Sequence, residues 1–401
     1  MAEVNGRTMP ELAAYLFAAS GLCMLVLTPL AIRLGNRWGV LDVPGPRKIH
    51  SNPVPMVGGW AIFAAISLVL WGHIFAALAI RGTELETRLP GMIRYFLDRL
   101  PQLIHKILPV YAGATCIFFL GLYDDLKGMS VKSRLLFQIA IATGLAAMGL
   151  RPSLQFLPAW IGMAVGIVWI VGITNAFNFI DGLDGLSTGV ALVGSLALLT
   201  VMGIGNQPDV VFLLAALAGI QLVFLRFNFH PASVFLGSSG SLLSGYMLAT
   251  STLLVTYMRG NFNNWLMPLL TPLFILAIPI YDTTSVVLIR LIQKRSIAIG
   301  DQSHFHHRLL RLGFSHRQAV AFILLIAFSV ALSAVRLVHS TLLEGGLILL
   351  QILGILSLII IAERVAIKAR TEILKRKETD NAPDRVMTES LSSHSTEHSR
   401  E

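Results

Sequence analysis

The chain has 401 residues, of which 55% are hydrophobic and 13% charged, with a formal net charge of +9. Soluble domains carry about a quarter charged residues, so this composition excludes an ordinary soluble enzyme and points to a membrane protein. The positive charge lies in loops and the C-terminal segment, which argues against nucleic acid as a partner and for a bilayer with anionic lipid. The two cysteines, Cys23 and Cys116, both sit in apolar segments, which excludes a disulfide framework or a cysteine zinc site.

Roughly eleven apolar stretches approach the ~20 residues needed to cross a bilayer. They run over 13–33, 58–80, 104–122, 135–150, 154–173, 187–204, 209–226, 241–258, 267–289, 318–338 and 344–363. The predicted fold class is therefore all-α, a multipass transmembrane helix bundle with its active site at the cytoplasmic face. The first stretch ends in Pro29 and Arg33 without a small-residue cleavage site, so it reads as a membrane span rather than a signal peptide. The fourth stretch is short and the eighth is rich in Ser and Gly. Between the second and third, mixed charges predict an interfacial amphipathic helix around Met92 to Leu100. Residues 1–377 form the polytopic domain, and residues 378–401 are polar enough to predict a disordered tail. Lys and Arg bias places the N-terminus outside and the basic run KARTEILKRK in the cytoplasm, as expected for a multipass protein of the cell inner (plasma) membrane.

With that orientation every unusual polar cluster falls on one face. The first loop there carries Asp42, Arg47, Lys48, His50 and Gly58-Gly59. The second carries Asp124, Asp125 and Lys127, then Lys132, Arg134 and Gln138. The third is a run with a polar residue at every third position, Asn175, Asn178, Asp181 and Asp184. The fourth holds Asn228, Pro231, Phe235 and the GSSGS run from Gly237 to Ser241. The fifth holds Asp301, His304, His306, His307 and Arg308.

Two carboxylates and two amides so close to hydrocarbon each cost several kcal/mol if unpaired, so a polar ligand is expected among them. Paired acids suit Mg²⁺, a hard cation that takes oxygen ligands. Basic and imidazole groups beside them suit phosphate oxygens, and Gly-rich loops at helix starts let backbone amides approach an anion. Together these features predict phosphoryl transfer, with an apolar cosubstrate entering from the bilayer.

Five ordered segments then resemble the polyprenyl-phosphate N-acetylhexosamine-1-phosphate transferase family. They are DVPGPRKIHSNPVPMVGG, GLYDDLKGMSVKSRLLFQ, NAFNFIDGLDGL, FNFHPASVFLG and DQSHFHHRLLRLGFS, and the likeness spans roughly residues 10 to 365. It implies transfer of a sugar phosphate from a UDP-sugar to a membrane polyprenyl phosphate with release of UMP. The cofactor implied is Mg²⁺, with Mn²⁺ as a substitute, and a homodimer is left open. Asp124, Asp125 and Asp181 match the catalytic acids, and Asn178 and Asp181 match metal-site positions. Asn175, Asp184, Asn228 and Phe235 match substrate or nucleotide positions, with the Phe235 ring as a platform for uracil. Lys48, His304, His306, His307 and Arg308 match the basic wall around phosphates or sugar. The DxxHFHHRL form is similar to members that use UDP-N-acetylglucosamine or a related simple UDP-hexosamine.

One position departs from the family. Its fourth loop normally reads GD followed by GS, with the Asp as principal metal ligand, whereas this chain has Ser238 there. A neutral hydroxyl removes one negative charge from the cation's surroundings, which predicts weaker Mg²⁺ binding, a diverged substrate or metal, or a silent relative. A transporter is the reading from another class, since intramembrane acids and broken helices occur there too. Among the histidines, His50 and His230 also have an ordinary structural reading. Asp282 reads as a brace to Arg290 or a neighbouring loop, and Asp301 as a helix cap or histidine orienter.

Overall fold

The computed structural model describes residues 8–44, 52–152, 158–205, 207–254, 266–294 and 304–380. Lys48 and Asp301 lie outside these residues, as does nearly all of the segment expected to form a polar tail. The described chain is built from α1 (Thr8–Trp38), β1 (Leu41–Asp42), β2 (Val54–Pro55), α2 (Gly58–Ile80), α3 (Glu84–Arg88), α4 (Gly91–Lys127), α5 (Val131–Ala147) and α6 (Ala159–Ile180). There follow α7 (Leu186–Gly205), α8 (Pro208–Asn228), α9 (Gly237–Leu254), α10 (Leu266–Ile275), α11 (Ala277–Ile292), α12 (Phe305–Arg311), α13 (His316–Leu337) and α14 (Leu342–Asp380). The two short strands pair antiparallel, Leu41 with Pro55 and Asp42 with Val54.

Over the described residues, each of the eleven apolar stretches falls on a helix or a helix pair. Seven helices among the described residues are long and apolar enough to cross a membrane, or eight if a bent pair counts as one span. The pair is α10 and α11, which meet at 76°. Pro279 has no N–H to offer the carbonyl one turn back, and Pro272 sits in the preceding half, so a break is favoured between them. The amphipathic stretch around residues 92–100 is continuous with the following span rather than a helix of its own. It forms the first turns of α4, where Leu97 and Leu100 are buried with Leu12 and Leu16 of α1 and Ile74 of α2.

The Ser- and Gly-rich eighth stretch becomes α9, the centre of the bundle. Every residue from Ser239 to Thr252 is buried, and the helix packs on α2, α4, α6 and α7. Its hydroxyls turn back onto the helix: Ser241 Oγ donates to Gly237 O (2.9 Å) and Thr250 Oγ1 to Tyr246 O (2.8 Å). Others receive bonds from neighbouring helices, Thr252 from Trp169 Nε1 (2.8 Å) and Ser244 from Gln221 Nε2 (2.9 Å). Small residues on facing helices permit this approach. A side chain at Gly121 would come within 2.5 Å of Ser239 Cα, and one at Gly58 would strike the Phe224 ring.

Candidate active site

The site begins where α4 ends. Asp125, in the last turn of α4, reaches the first turn of α9 and caps it: Oδ1 accepts from Ser238 N (2.7 Å), and Oδ2 accepts from Ser239 N (3.0 Å) and Ser239 Oγ (2.7 Å). A carboxylate at a helix N-terminus satisfies orphan N–H groups and meets the positive end of the dipole. Gly237 turns into the helix with φ of 73°, and a side chain there would collide with the same carboxylate. Asp125 thus fixes the position of Ser238.

Asp124 is held differently. Its Oδ1 accepts from Met129 N (2.8 Å) and its Oδ2 from Arg134 Nη1 (3.0 Å), with both side chains 12% exposed. The adjacent acids therefore divide, one organising α9 and the other holding a guanidinium at the start of α5. Arg134 was legible only as a basic residue ten positions on; the turn at Gly128 folds it back.

The run of spaced polar residues forms the end of α6 and the turn into α7. Asn178 Nδ2 donates to Ser241 Oγ (3.0 Å), tying α6 to the first turn of α9 and leaving the amide oxygen as an acceptor. Asp181 caps the C-terminal end of α6. Protein atoms surround its carboxyl closely although part of its surface is accessible. Burial, and then the charges of Asp125 and Asp184, raise its pKa well above the ordinary carboxylate value. Asp184 Oδ2 accepts from Ala232 N (3.2 Å) and lies 2.7 Å from His230 Nδ1. Asn175 lies one turn deeper, buried, donating to Gln138 Oε1 (2.6 Å) and Val171 O (2.8 Å), so it joins α6 to α5.

Asn228 ends α8 and holds the turn of the third loop. Its Oδ1 accepts from Gly185 N (3.1 Å) and Thr188 Oγ1 (2.9 Å), and its Nδ2 donates to Val234 O (2.9 Å). Phe235 joins the fourth loop to the first through its backbone, N to Pro55 O and O from Gly58 N, both 2.9 Å. The fifth loop enters through α12. His306 is buried with its Nε2 shielded and without a hydrogen bond, and it packs so closely on Gly182 that a side chain there would strike the imidazole. Burial first, then the neighbouring His307, pushes its pKa down to about 3, so the ring is neutral near pH 7. His304 lies alongside with its Nδ1 2.7 Å from Asp282 Oδ2, and Asp282 also accepts from Phe305 N. Asp282 therefore braces this loop from α11. Arg308 turns toward α11 as well, donating to Ser285 Oγ (3.1 Å) and lying 5.9 Å from the Tyr281 ring centroid. His307 packs against His306.

The donor set fits a hard divalent cation. Asp181, the amide oxygen of Asn178 and the Ser238 hydroxyl are oxygen donors that could hold such an ion, on segments that Asp125 and Asn178 lock together. Asp181 is thus a carboxyl whose burial, and then the nearby charges of Asp125 and Asp184, disfavour its ionised form.

Comparison with known proteins agrees with this assembly. Residues 107–256, from α4 to just beyond α9, match the family described as Glycosyl transferase family 4. The chain is 34% identical to the probable undecaprenyl-phosphate N-acetylglucosaminyl 1-phosphate transferase of Bacillus subtilis, over 81% of this chain and 85% of that protein. It is 33% identical to the decaprenyl-phosphate N-acetylglucosaminephosphotransferase of Mycolicibacterium smegmatis, over 78% and 81% of the two chains. The undecaprenyl-phosphate alpha-N-acetylglucosaminyl 1-phosphate transferase of Escherichia coli K12 is 27% identical over 74% and 76%. Nothing in these likenesses favours a silent relative. By this coverage and identity, the chain belongs to the polyprenyl-phosphate N-acetylhexosamine-1-phosphate transferases, glycosyl transferase family 4.

Proposed function

We propose that the chain transfers N-acetylglucosamine-1-phosphate from a UDP-sugar to a membrane polyprenyl phosphate, releasing UMP and starting a cell-envelope glycan. The observation that carries this reading is the Asp125 cap on α9. Together with the Asn178–Ser241 bond, it draws the second, third and fourth loops into one acidic cluster, in a chain whose relatives bear these transferase names.

Release of UMP requires that an acceptor phosphate oxygen bond to the sugar-side phosphorus while the bridging P–O bond of the pyrophosphate breaks toward UMP. Asp181, Asn178 and Ser238 would hold Mg²⁺, or Mn²⁺ in its place, which when bound neutralises the phosphate oxygens. Asp124 holds Arg134 where its guanidinium can receive the acceptor phosphate, a planar donor suited to that anion. The second pKa of a phosphate monoester is about 6, so the acceptor is largely a dianion at neutral pH and gains little from a base. With both oxygens of Asp124 already engaged, an organising role is favoured over proton abstraction. Asp184 and the Phe235 ring serve the nucleotide, and neutral His306 and its neighbours line the sugar-phosphate side. We read eleven crossings, the seven long apolar helices plus α5, α7, α9 and the broken α10–α11 pair, and with the Lys and Arg bias of the loops this reading puts the N-terminus outside and the site in the cytoplasm.

Membranes carrying the protein, supplied with polyprenyl phosphate and a panel of UDP-sugars, should release UMP most rapidly from UDP-N-acetylglucosamine and only with a divalent cation. Release from no member of the panel would contradict the reading. Nucleotide counterflow without turnover would favour a transporter.

A further inference from the structure

Three side chains outside the proposed Mg²⁺ pocket form a second constellation. Asp184 of the third loop, His230 of the fourth loop and His316 at the start of α13 each present one ligand atom, and these atoms all lie within 4.8 Å of one another. His230 Nδ1 is 2.7 Å from Asp184 Oδ2, and the His230 and His316 rings stack at 4.1 Å with planes 17° apart. Both ring nitrogens of His316 are shielded from solvent and lack a hydrogen bond of good geometry. Around the cluster the backbone is fastened: Arg317 Nε donates to His230 O (3.1 Å) and Ala232 N to Asp184 Oδ2. Two imidazoles and a carboxylate from three different elements are thus held together at the edge of the site.

We propose that Asp184, His230 and His316 form a binding site for a zinc-type ion, with the fourth position left open. Two imidazole nitrogens and one carboxylate oxygen are a donor set that zinc accepts and that Mg²⁺, which prefers oxygen alone, does not. Zinc sits about 2.0–2.1 Å from such ligands, which puts neighbouring donors ~3.4 Å apart, so small ring rotations complete the sphere. On entry the ion takes the place of the hydrogen bond between His230 Nδ1 and Asp184 Oδ2; the proton held there is given up to solvent or moves to Nε2, and the neutral imidazole ligates through Nδ1 with its N–H on Nε2. Because Asp184 is also the proposed nucleotide residue, zinc at this site competes with the uridine nucleotide. That consequence, unlike the metal site itself, rests on the transferase reading.

The test uses full-length protein in detergent, with Mg²⁺ in excess and Co²⁺ as the spectroscopic probe. The expected result is one equivalent of Co²⁺ with the intense visible bands of a four-coordinate site, displaced by Zn²⁺. Affinity should fall at least tenfold in His316→Gln and separately in His230→Gln, and should persist in His306→Gln. Absence of such bands, their survival in both of the first two variants, or their loss in His306→Gln would overturn the proposal. UDP should weaken Co²⁺ binding. If the bands behave as expected but UDP leaves them unchanged, the metal site stands and the nucleotide role of Asp184 falls.

Discussion

Asp124 and Asp125 look equivalent on paper and are not equivalent in space. Asp125 has three bonds to the first turn of α9, whereas Asp124 faces away to Met129 and Arg134. Removing one partner of a buried ion pair costs about 3–5 kcal/mol, because the remaining charge is left uncompensated. Asp124→Asn should therefore lose most activity at pH 6 and pH 8 alike, measured as kcat/KM for UMP release. Recovery at pH 8 alone would restore a general-base role to this carboxylate. Ser238 poses the complementary question. A carboxylate about 4 Å from a cation adds on the order of 1–4 kcal/mol of attraction between bulk-water and protein-surface dielectrics. Ser238→Asp should accordingly lower the half-saturating Mg²⁺ concentration by roughly tenfold or more. Superimposable Mg²⁺ titrations would remove Ser238 from the cation's neighbourhood.

The helices were legible in the sequence because a bilayer demands long apolar runs, and over the described residues each of the eleven stretches lies on a helix or a helix pair. Residue-type clustering was equally legible: Asp125, Asn178, Asp181, Asp184, Asn228 and His306 all come to one end of the bundle. Other features depend on partners that no local pattern displays. Nothing in the GSSGS run says that α9 is sheathed by protein, yet that alone permits its polar content, since a buried hydroxyl without a partner costs about 1–3 kcal/mol. The pairing of Asp282 with His304 spans 22 positions, and that of His230 with Asp184 spans 46, so both follow from packing alone. Asn175 shared the three-residue spacing of its neighbours, but the helix's turn of 100° per residue carries it toward α5. The central place of α9 gives a prediction at this scale. Gly121→Ala puts a methyl group against the Ser239 backbone, an overpacking of about 1–3 kcal/mol that also pries Asp125 from the helix it caps. The thermal midpoint in detergent and the activity should both fall. Gly144→Ala on α5, where the added carbon meets nothing within 4 Å, should leave both intact. Equal behaviour of the two variants would contradict a close α4–α9 contact.

At the scale of the whole molecule, function follows from asymmetry along the bundle. One end is an apolar cluster that joins α1, α2, α4 and α8 through Leu16, Leu70, Leu100 and Phe212. The other gathers the acids, amides and imidazoles, held by interlocking helix ends rather than by any one loop. The transfer we propose needs a lipid-borne phosphate and a water-borne nucleotide to meet at this polar end of the bundle. The most direct test is formation of the lipid-linked product by purified protein from labelled UDP-N-acetylglucosamine and undecaprenyl phosphate, with native chain and Asp181→Asn compared side by side. A labelled lipid pyrophosphate is expected from the native chain, with a loss of at least about a hundredfold in the variant, on the scale of removing one electrostatic catalytic group. No lipid product from the native chain, or undiminished product from Asp181→Asn, would contradict this expectation.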